Sequence, residues 1–429
     1  MQKFIKAASI AFVALWFMSG CEKNTHQDNT SSKGYETKIF LSDPSEIFLS
    51  ETPLDALPTW RLYKNLKPTL LLFSDRPAFA AVPQELITRA QKLVESASPQ
   101  QLLDSTPFAN FDPIFLPDMA IRSAILSEYF SQIVWIAPLP DGPPTELSLA
   151  LMRNHMEEQG LLNQKEIADL KQTQFGFKGR IGDLPLSIMF TPTLSIDETC
   201  RYVIHFDMSF FVANYKNEVK TPIYNSIHDF FIQLRSLNIS NYATTLSRSN
   251  LGNGIPLRFR GIGADIARMI KEPLILDSEI PRSWKIKSQI FYLENFFQPE
   301  EIYQLATELT RIDPKDPSSH YELYRAKRLN KLPYNGALES AIENDSIYAT
   351  EFLILAENAK DPEQTVNFLL NASKHLPSDP VIQLRLAHAL IDANDHEKAK
   401  KLINSLKRMK WSHIYFPEVI SSLEKLQDL

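Results

Sequence analysis

Several short runs in this chain are apolar at every position and end at proline or polar residues. Leu70–Phe73 lies between Pro68 and Ser74, and Ile133–Ile136 is soon followed by Pro138. A strand that is apolar throughout is buried on both faces, which is typical of a mostly parallel sheet covered by helices. These runs therefore predict central strands of such a sheet. Further strands are predicted at Leu186–Phe190, Tyr202–Phe206 and Tyr242–Leu246.

Amphipathic segments separate the predicted strands. Apolar side chains recur at helical spacing at Leu86, Ala90 and Val94, and a similar spacing runs from Met119 to Phe130. Further helices are predicted at about 145–158, 223–236 and 257–270. This alternation predicts an α/β domain over residues 39–298, with helices on both sides of the sheet. Ligands of such domains bind beyond the carboxyl ends of the strands.

Residues 299–429 have a helical pattern and contain an internal repeat. Asp345 and Asp379 start two segments 34 residues apart whose apolar positions superpose. The superposed pairs are Phe352 with Leu386, Leu353 with Ala387, Ala356 with Leu390, Phe368 with Leu402, and Leu369 with Ile403. The segment from Asp379 to Ala399 resembles the tetratricopeptide repeat, and the resemblance covers about residues 300–412. It implies an all-α module of stacked helix pairs that binds a protein or peptide partner. An ordinary bundle of helical hairpins is the alternative.

The N-terminal segment has a cationic head, a short apolar stretch and a cysteine. Lys3 and Lys6 precede the apolar residues 7–18, and small Ser19 and Gly20 stand directly before Cys21. The pattern resembles a bacterial lipoprotein signal peptide, although Met18 stands where that family usually has Leu, Val or Ile. The apolar stretch is shorter than the ~20 residues that cross a bilayer as a helix.

This resemblance implies that residues 1–20 are cleaved and that Cys21 is acylated. Residues 21–38 would then be a lipidated cysteine and a polar tether. The protein would be lipid-anchored to the inner or outer membrane of a bacterial cell envelope. Two or more acyl chains anchor a protein stably. The alternatives are an uncleaved membrane anchor, or a plain signal peptide in which the cysteine is coincidental.

Composition narrows the classes of partner. The hydrophobic content is 44% and the formal net charge is −6, and loss of Lys3 and Lys6 with the signal would make the charge more negative by two. A net negative charge disfavours binding to nucleic acid. The chain has two cysteines, so acylation of Cys21 would leave Cys200 without an intrachain partner, and we expect Cys200 to be a buried structural thiol.

The strand Tyr202–Phe206 carries polar side chains toward its end. His205 and Asp207 lie two residues apart, so they would share one face of a strand. The order of elements here resembles the arginase and deacetylase type of α/β fold. A strand ending in aspartate is followed by a helix at about 223–236 and then by another strand. That family has an Asp-x-Asp motif where this chain has Asp207-Met208-Ser209, and its Asp-Ala-His-x-Asp motif is missing. We therefore expect no metal and no cofactor, and a histidine in an apolar strand is usually a hydrogen-bonded core residue.

Three hypotheses for function follow from the sequence. The leading one is an envelope lipoprotein that acts as a protein-interaction or scaffolding module through its helical repeats. The alternative is an envelope hydrolase, possibly metal-dependent, whose active site at the strand ends would use Asp75, His205, Asp207 and Ser249. The third is a structural lipoprotein without a dedicated ligand.

Overall fold

The computed structural model describes residues 36–138, 149–174, 176–191, 194, 196–251 and 254–427. From Thr37 onward these residues belong to one compact unit. The predicted signal peptide and the acylation site Cys21 lie outside the described residues. Within the described ranges, no helix has both the length and the apolar character needed to cross a membrane.

A mixed sheet forms the centre of the N-terminal half. Its strands, within the described residues, are β1 (Lys38–Ile39), β2 (Ile47–Ser50), β3 (Thr69–Phe73), β4 (Gln132–Ala137), β5 (Lys171–Thr173), β6 (Gly176–Ile181), β7 (Leu184–Phe190), β8 (Tyr202–Asp207) and β9 (Ser240–Ser247). They are ordered β1-β9-β8-β3-β4-β7-β6-β5, and β2 also pairs with β9. The central pairs β2/β9, β9/β8, β8/β3, β3/β4 and β4/β7 are parallel. The outer strands β1, β6 and β5 run antiparallel to their neighbours.

All five predicted strands are present, and the prediction of a mostly parallel sheet is confirmed for its centre. Strands β1, β2, β5 and β6 were not predicted. Two of them have only two or three residues, and β6 carries polar residues and glycines among its apolar ones. Short, polar strands at the rim of a sheet lack the continuous apolar pattern of buried central strands.

The helices of the N-terminal half connect these strands. They are α1 (Leu57–Arg61), α2 (Ile87–Ser96), α3 (Pro99–Leu103), α4 (Ala120–Leu126), α5 (Leu149–Glu158), α6 (Gln164–Ala168), α7 (Met208–Asn214), α8 (Ile223–Ser236) and α9 (Arg260–Lys271). Helix α8 has the predicted bounds. The predicted helix from Met119 to Phe130 ends early, and Glu128 has a left-handed backbone with φ of 57°.

Helices cover both faces of the sheet, as predicted. Leu70 and Leu72 of β3 share a core with Trp60 of α1 and with residues of α2 and α4. The alternate side chains Leu71 and Phe73 share a second core with residues of α8 and α9. Burial on both faces explains why β3 is apolar at every position.

The C-terminal half consists of successive helices, most of which pack against the next helix in the chain. They are α10 (Arg282–Glu294), α11 (Pro299–Ile312), α12 (Pro317–Leu329), α13 (Asn335–Asn344), α14 (Glu351–Asn358), α15 (Pro362–His375), α16 (Pro380–Asp392), α17 (His396–Lys407) and α18 (Val419–Gln427). Asp316, Asp361 and Asp379 each cap a helix that begins with proline, and each side chain accepts a hydrogen bond from a backbone N–H two residues ahead. Aspartate at the cap and proline in the first turn are strong signals for the start of a helix.

The 34-residue repeat corresponds to two helical hairpins of similar design. Asp345 caps the 3₁₀ turn Ser346–Thr350 that leads into α14, and Asp379 caps α16. The superposed apolar positions belong to the core around Leu386 and Ile403. Phe352 is the exception and packs against the neighbouring core around Tyr348 and Leu355. Each segment of the sequence repeat therefore folds as two consecutive helices.

Candidate functional site

Three of the four residues predicted for the alternative active site meet at the carboxyl ends of β8 and β9. Asp207 accepts hydrogen bonds at Oδ2 from the hydroxyls of Ser247 and Ser249, each at 2.5 Å. His205 Nε2 lies 3.4 Å from Ser247 Oγ. His205 and Asp207 share one face of β8, as their spacing predicted, and the parallel register with β9 places Ser247 opposite Asp207.

Hydrogen bonds connect the polar side chains around His205. Trp60 Nε1 can only donate, and it donates to Thr245 Oγ1 at 3.0 Å. Thr245 Oγ1 lies 2.8 Å from His205 Nδ1 and 3.3 Å from the carbonyl oxygen of Ile204, to which its own hydroxyl can donate. On the other side of the ring, Ser247 donates to Asp207 Oδ2 at 2.5 Å, and its oxygen can accept from His205 Nε2 at 3.4 Å, which favours the tautomer with the proton on Nε2.

Burial separates this network from solvent. His205, Thr245, Ser247 and Ser249 have no exposed surface, and Asp207 is 1% exposed. Burial lowers the pKa of His205 to about 3, because the imidazolium would lose its hydration. His205 is therefore neutral at physiological pH, and it does not offer a positive charge to a substrate.

Asp75 lies near these residues but does not join them directly. Its backbone N–H donates to Ser209 Oγ at 3.2 Å, and Ser209 N–H in turn donates to Asp207 Oδ1 at 2.8 Å. The Asp75 side chain is 42% exposed. Burial raises the pKa of Asp75 and the charge of Asp207 adds to the increase, while Arg76 and His155 oppose it.

Asp75 marks the point at which the order of the strands reverses. From β3 the chain proceeds to β4 and β7 on one side, and then returns to β8 on the other side of β3. Such a switch point is the usual ligand position in an open α/β sheet. Here Ser74 Oγ and Ser209 Oγ, 3.3 Å apart, connect the two strand ends.

The chemistry available at this network is limited. The hydroxyls of Ser247 and Ser249 are both committed to one carboxylate and neither reaches solvent. Among the described residues, no group of three histidine, cysteine, aspartate or glutamate side chains could hold a metal ion. The arrangement is that of a satisfied polar cluster in a protein core, in which a buried carboxylate receives several donors.

The sequence did not single out Trp60 and Thr245, which lie on the Nδ1 side of His205. Trp60 belongs to α1, a helix of five residues that has no extended periodic pattern. Thr245 stands two residues before Ser247 in β9, so the alternation of side chains along a strand could have placed both on one face. The spacing between β8 and β9 gave no indication of their register.

A second candidate site is a pocket of 290 Å³ between helical hairpins, which we call the hairpin groove. Its apolar floor consists of Leu338, Phe352 and Phe368, and the two phenylalanine rings stack with centroids 6.5 Å apart. The surrounding residues are Tyr334, Asn335, Glu339, Glu343, Asn371, Lys374 and His375. A cavity of about 150 Å³ can hold benzene, so the groove has room for a large apolar side chain.

The rim of the hairpin groove includes carboxamide, carboxylate, ammonium and imidazole groups. Asn335 and Asn371 are exposed carboxamides on opposite helices, α13 and α15. A carboxamide both donates and accepts hydrogen bonds, as does a peptide unit. Glu339 lines the groove on the α13 side and Lys374 on the α15 side. An apolar floor with a mixed polar rim is suited to an extended peptide segment that inserts one apolar side chain.

Comparison of the chain with protein families, with curated proteins and with solved structures gives no match.

Proposed function

We propose that this chain is a lipid-anchored protein of a bacterial envelope that binds a peptide segment of a protein partner in the hairpin groove. The observation that carries the proposal is the groove itself, with an apolar floor at Phe352 and Phe368 and exposed carboxamides at Asn335 and Asn371. This combination offers both an anchor pocket and hydrogen-bond partners for a peptide backbone.

The helical repeat supports this proposal. Asp345 and Asp379 are 34 residues apart and each caps the first helical segment of a hairpin. That spacing supports the tetratricopeptide-like interpretation, to which an ordinary bundle of helical hairpins is the alternative. In stacked repeats, neighbouring hairpins create extended surfaces that bind peptides.

The proposed anchor would place this groove at a membrane surface. Acylation of Cys21 would hold the chain to the bilayer, and the polar segment that precedes β1 would act as a tether. A tethered binding protein needs no catalytic group. The burial of His205 and the commitment of both serines to Asp207 support binding over hydrolysis.

Peptide selection on the purified full chain tests the proposed groove. A displayed library of random peptides should yield sequences with one large apolar residue flanked by polar ones. Binding of a selected peptide should weaken about tenfold or more in Glu339→Lys and in Phe352→Ala, since the first inverts a rim charge and the second removes one ring of the apolar floor. Glu424→Lys, on the exposed side of α18, is the matched control. Equal binding by all four proteins would refute the assignment.

A further inference from the structure

A second pocket lies beside the sheet, far along the chain from the hairpin groove. It has a volume of 350 Å³ and lies between α7 and α8. We call it the Phe pocket, because Phe210, Phe211 and Phe230 form part of its wall. Its lining also includes Thr191, the residue directly after β7.

The position of the Phe pocket is one that α/β proteins use for ligands. Helix α7 begins directly after β8, at the switch point between β3 and β8. Thr191 follows the carboxyl end of β7, another strand of the parallel part of the sheet. The pocket therefore lies at the carboxyl edge of the sheet, where connecting segments form binding sites.

The walls of the pocket are aromatic and aliphatic. The ring centroids of Phe210 and Phe211 are 5.3 Å apart at a near-perpendicular angle, and Phe230 lies 5.3 Å from Phe210 and 5.7 Å from Phe211. Ile223 and Ile227 of α8 add apolar surface. Aromatic rings in edge-to-face contact favour another ring as a guest, because the ring edges are positive and the faces negative.

The polar groups that line the pocket are mostly uncharged. They include Thr191, Asn214, Thr221, Ser226 and Gln233. The hydroxyl oxygen of Thr191 is shielded from solvent and has no hydrogen-bond partner in the part of the chain that the structure describes. A buried hydroxyl without a partner is unfavourable, and a ligand that bonds to it would remove this cost.

Charge at the pocket disfavours anions. Asp229 is the one charged side chain among the lining residues that the structure describes, and it is 82% exposed. A cavity of about 150 Å³ can hold benzene, so a pocket of 350 Å³ has room for about two fused rings.

We infer that the Phe pocket binds an uncharged aromatic compound of about two rings that carries one hydrogen-bonding group, with the rings against Phe210, Phe211 and Phe230 and the polar group at Thr191. This site is independent of the hairpin groove. It gives the α/β half of the chain a small-molecule ligand of its own.

Calorimetric titration of the full chain with 2-naphthol tests this inference. We expect saturable binding of one molecule per chain. Ser226→Trp fills the pocket from an exposed position on α8 and should weaken binding about tenfold or more. Ser236→Trp is the matched control, because Ser236 is exposed on the same helix but does not line the pocket. Circular dichroism of both variants should match that of the parent chain.

Further compounds test the assigned chemistry. The anion 2-naphthoate should bind about tenfold more weakly than 2-naphthol, and Asp229→Asn should narrow that difference. Thr191→Val should weaken binding of 2-naphthol but leave binding of naphthalene unchanged, because only the former uses the hydroxyl. Tighter binding of decan-1-ol than of 2-naphthol would contradict an aromatic ligand. Absence of saturable 2-naphthol binding, or equal binding by Ser226→Trp, would overturn the inference.

Discussion

Arg260 binds both carboxylate oxygens of Asp345, through Nε at 2.5 Å and Nη2 at 2.9 Å. Arg260 begins α9, which packs against the sheet, whereas Asp345 caps the turn that opens the repeated hairpins. The same guanidinium also binds Glu51, directly after β2, at 2.5 and 2.7 Å. One buried arginine therefore joins the sheet, a covering helix and the helical half of the chain.

Arg260→Met should destabilise the protein strongly. The side chain of Arg260 is 3% exposed, and its removal would leave the partly buried Glu51 and Asp345 with the longer contacts to Arg248 Nη1, at 3.5 and 3.3 Å. Loss of one member of a buried ion pair typically costs about 3–5 kcal/mol. Urea denaturation should show this loss. Arg235→Met is the matched control, because Arg235 is 27% and Asp277 56% exposed, so solvent screens this pair and it should contribute less. Similar losses in both variants would contradict the role of Arg260.

His205 should make stability depend on pH in acid. Its pKa of about 3 in the folded chain is below the ~6.5 of an unfolded histidine. Between these values only the unfolded state binds the proton. The stabilisation by neutral His205 is therefore complete above about pH 6.5 and falls by ~1.4 kcal/mol per pH unit as the pH decreases toward 3.

His205→Gln should remove this dependence. Glutamine can accept from Thr245 and donate to Ser247, but it does not titrate in this range. The difference in unfolding free energy between the two proteins should therefore change with pH across that window. Parallel curves would contradict a buried neutral imidazole. Nitrogen NMR at pH 5 should also find the His205 proton on Nε2.

Ser249→Ala should lower the free energy of unfolding by about 1.5–3 kcal/mol, because Asp207 would lose one hydrogen-bond donor in a buried environment. Ser236→Ala, an exposed serine whose hydroxyl bonds to the Gln233 carbonyl, should have little effect. Thermal unfolding followed by circular dichroism provides the measurement. Equal stability of the Ser249→Ala protein would show that this hydroxyl is not a required donor.

Cys21→Ser should abolish lipid modification of the chain. We expect the parent chain to incorporate an alkyne-labelled fatty acid in bacterial cells and to sediment with membranes, because two or more acyl chains anchor stably. The variant should not incorporate the label. Incorporation by Cys21→Ser would contradict acylation at this residue.

The central strands could be predicted because burial on both faces leaves a direct signal in the sequence. Strand β3 is apolar at every position, and the shared face of His205 and Asp207 follows from the alternation of side chains along β8. The convergence of Ser249 on Asp207 followed from the rule that strand ends meet at one edge of the sheet.

The contacts that depend on register and distant packing could not be predicted. Ser247 meets Asp207 across 40 residues, and Arg260 meets Asp345 across 85. Strand β2 has only four residues, so Glu51 at its end gave no signal as a partner of Arg260. The hairpin groove likewise depends on how α13 and α15 pack, since its two sides are separate in sequence.

Photo-crosslinking in cells tests peptide binding in the hairpin groove most directly. p-Benzoylphenylalanine at position 371, an exposed residue of the rim, would lie beside a peptide bound in the groove, and the same residue at position 424 would lie on the exposed surface of α18. We predict a discrete protein adduct from position 371 that is lost when Glu339→Lys is added, and none from position 424. No adduct from position 371, equal adducts from both positions, or an adduct that persists with Glu339→Lys would contradict the proposed function.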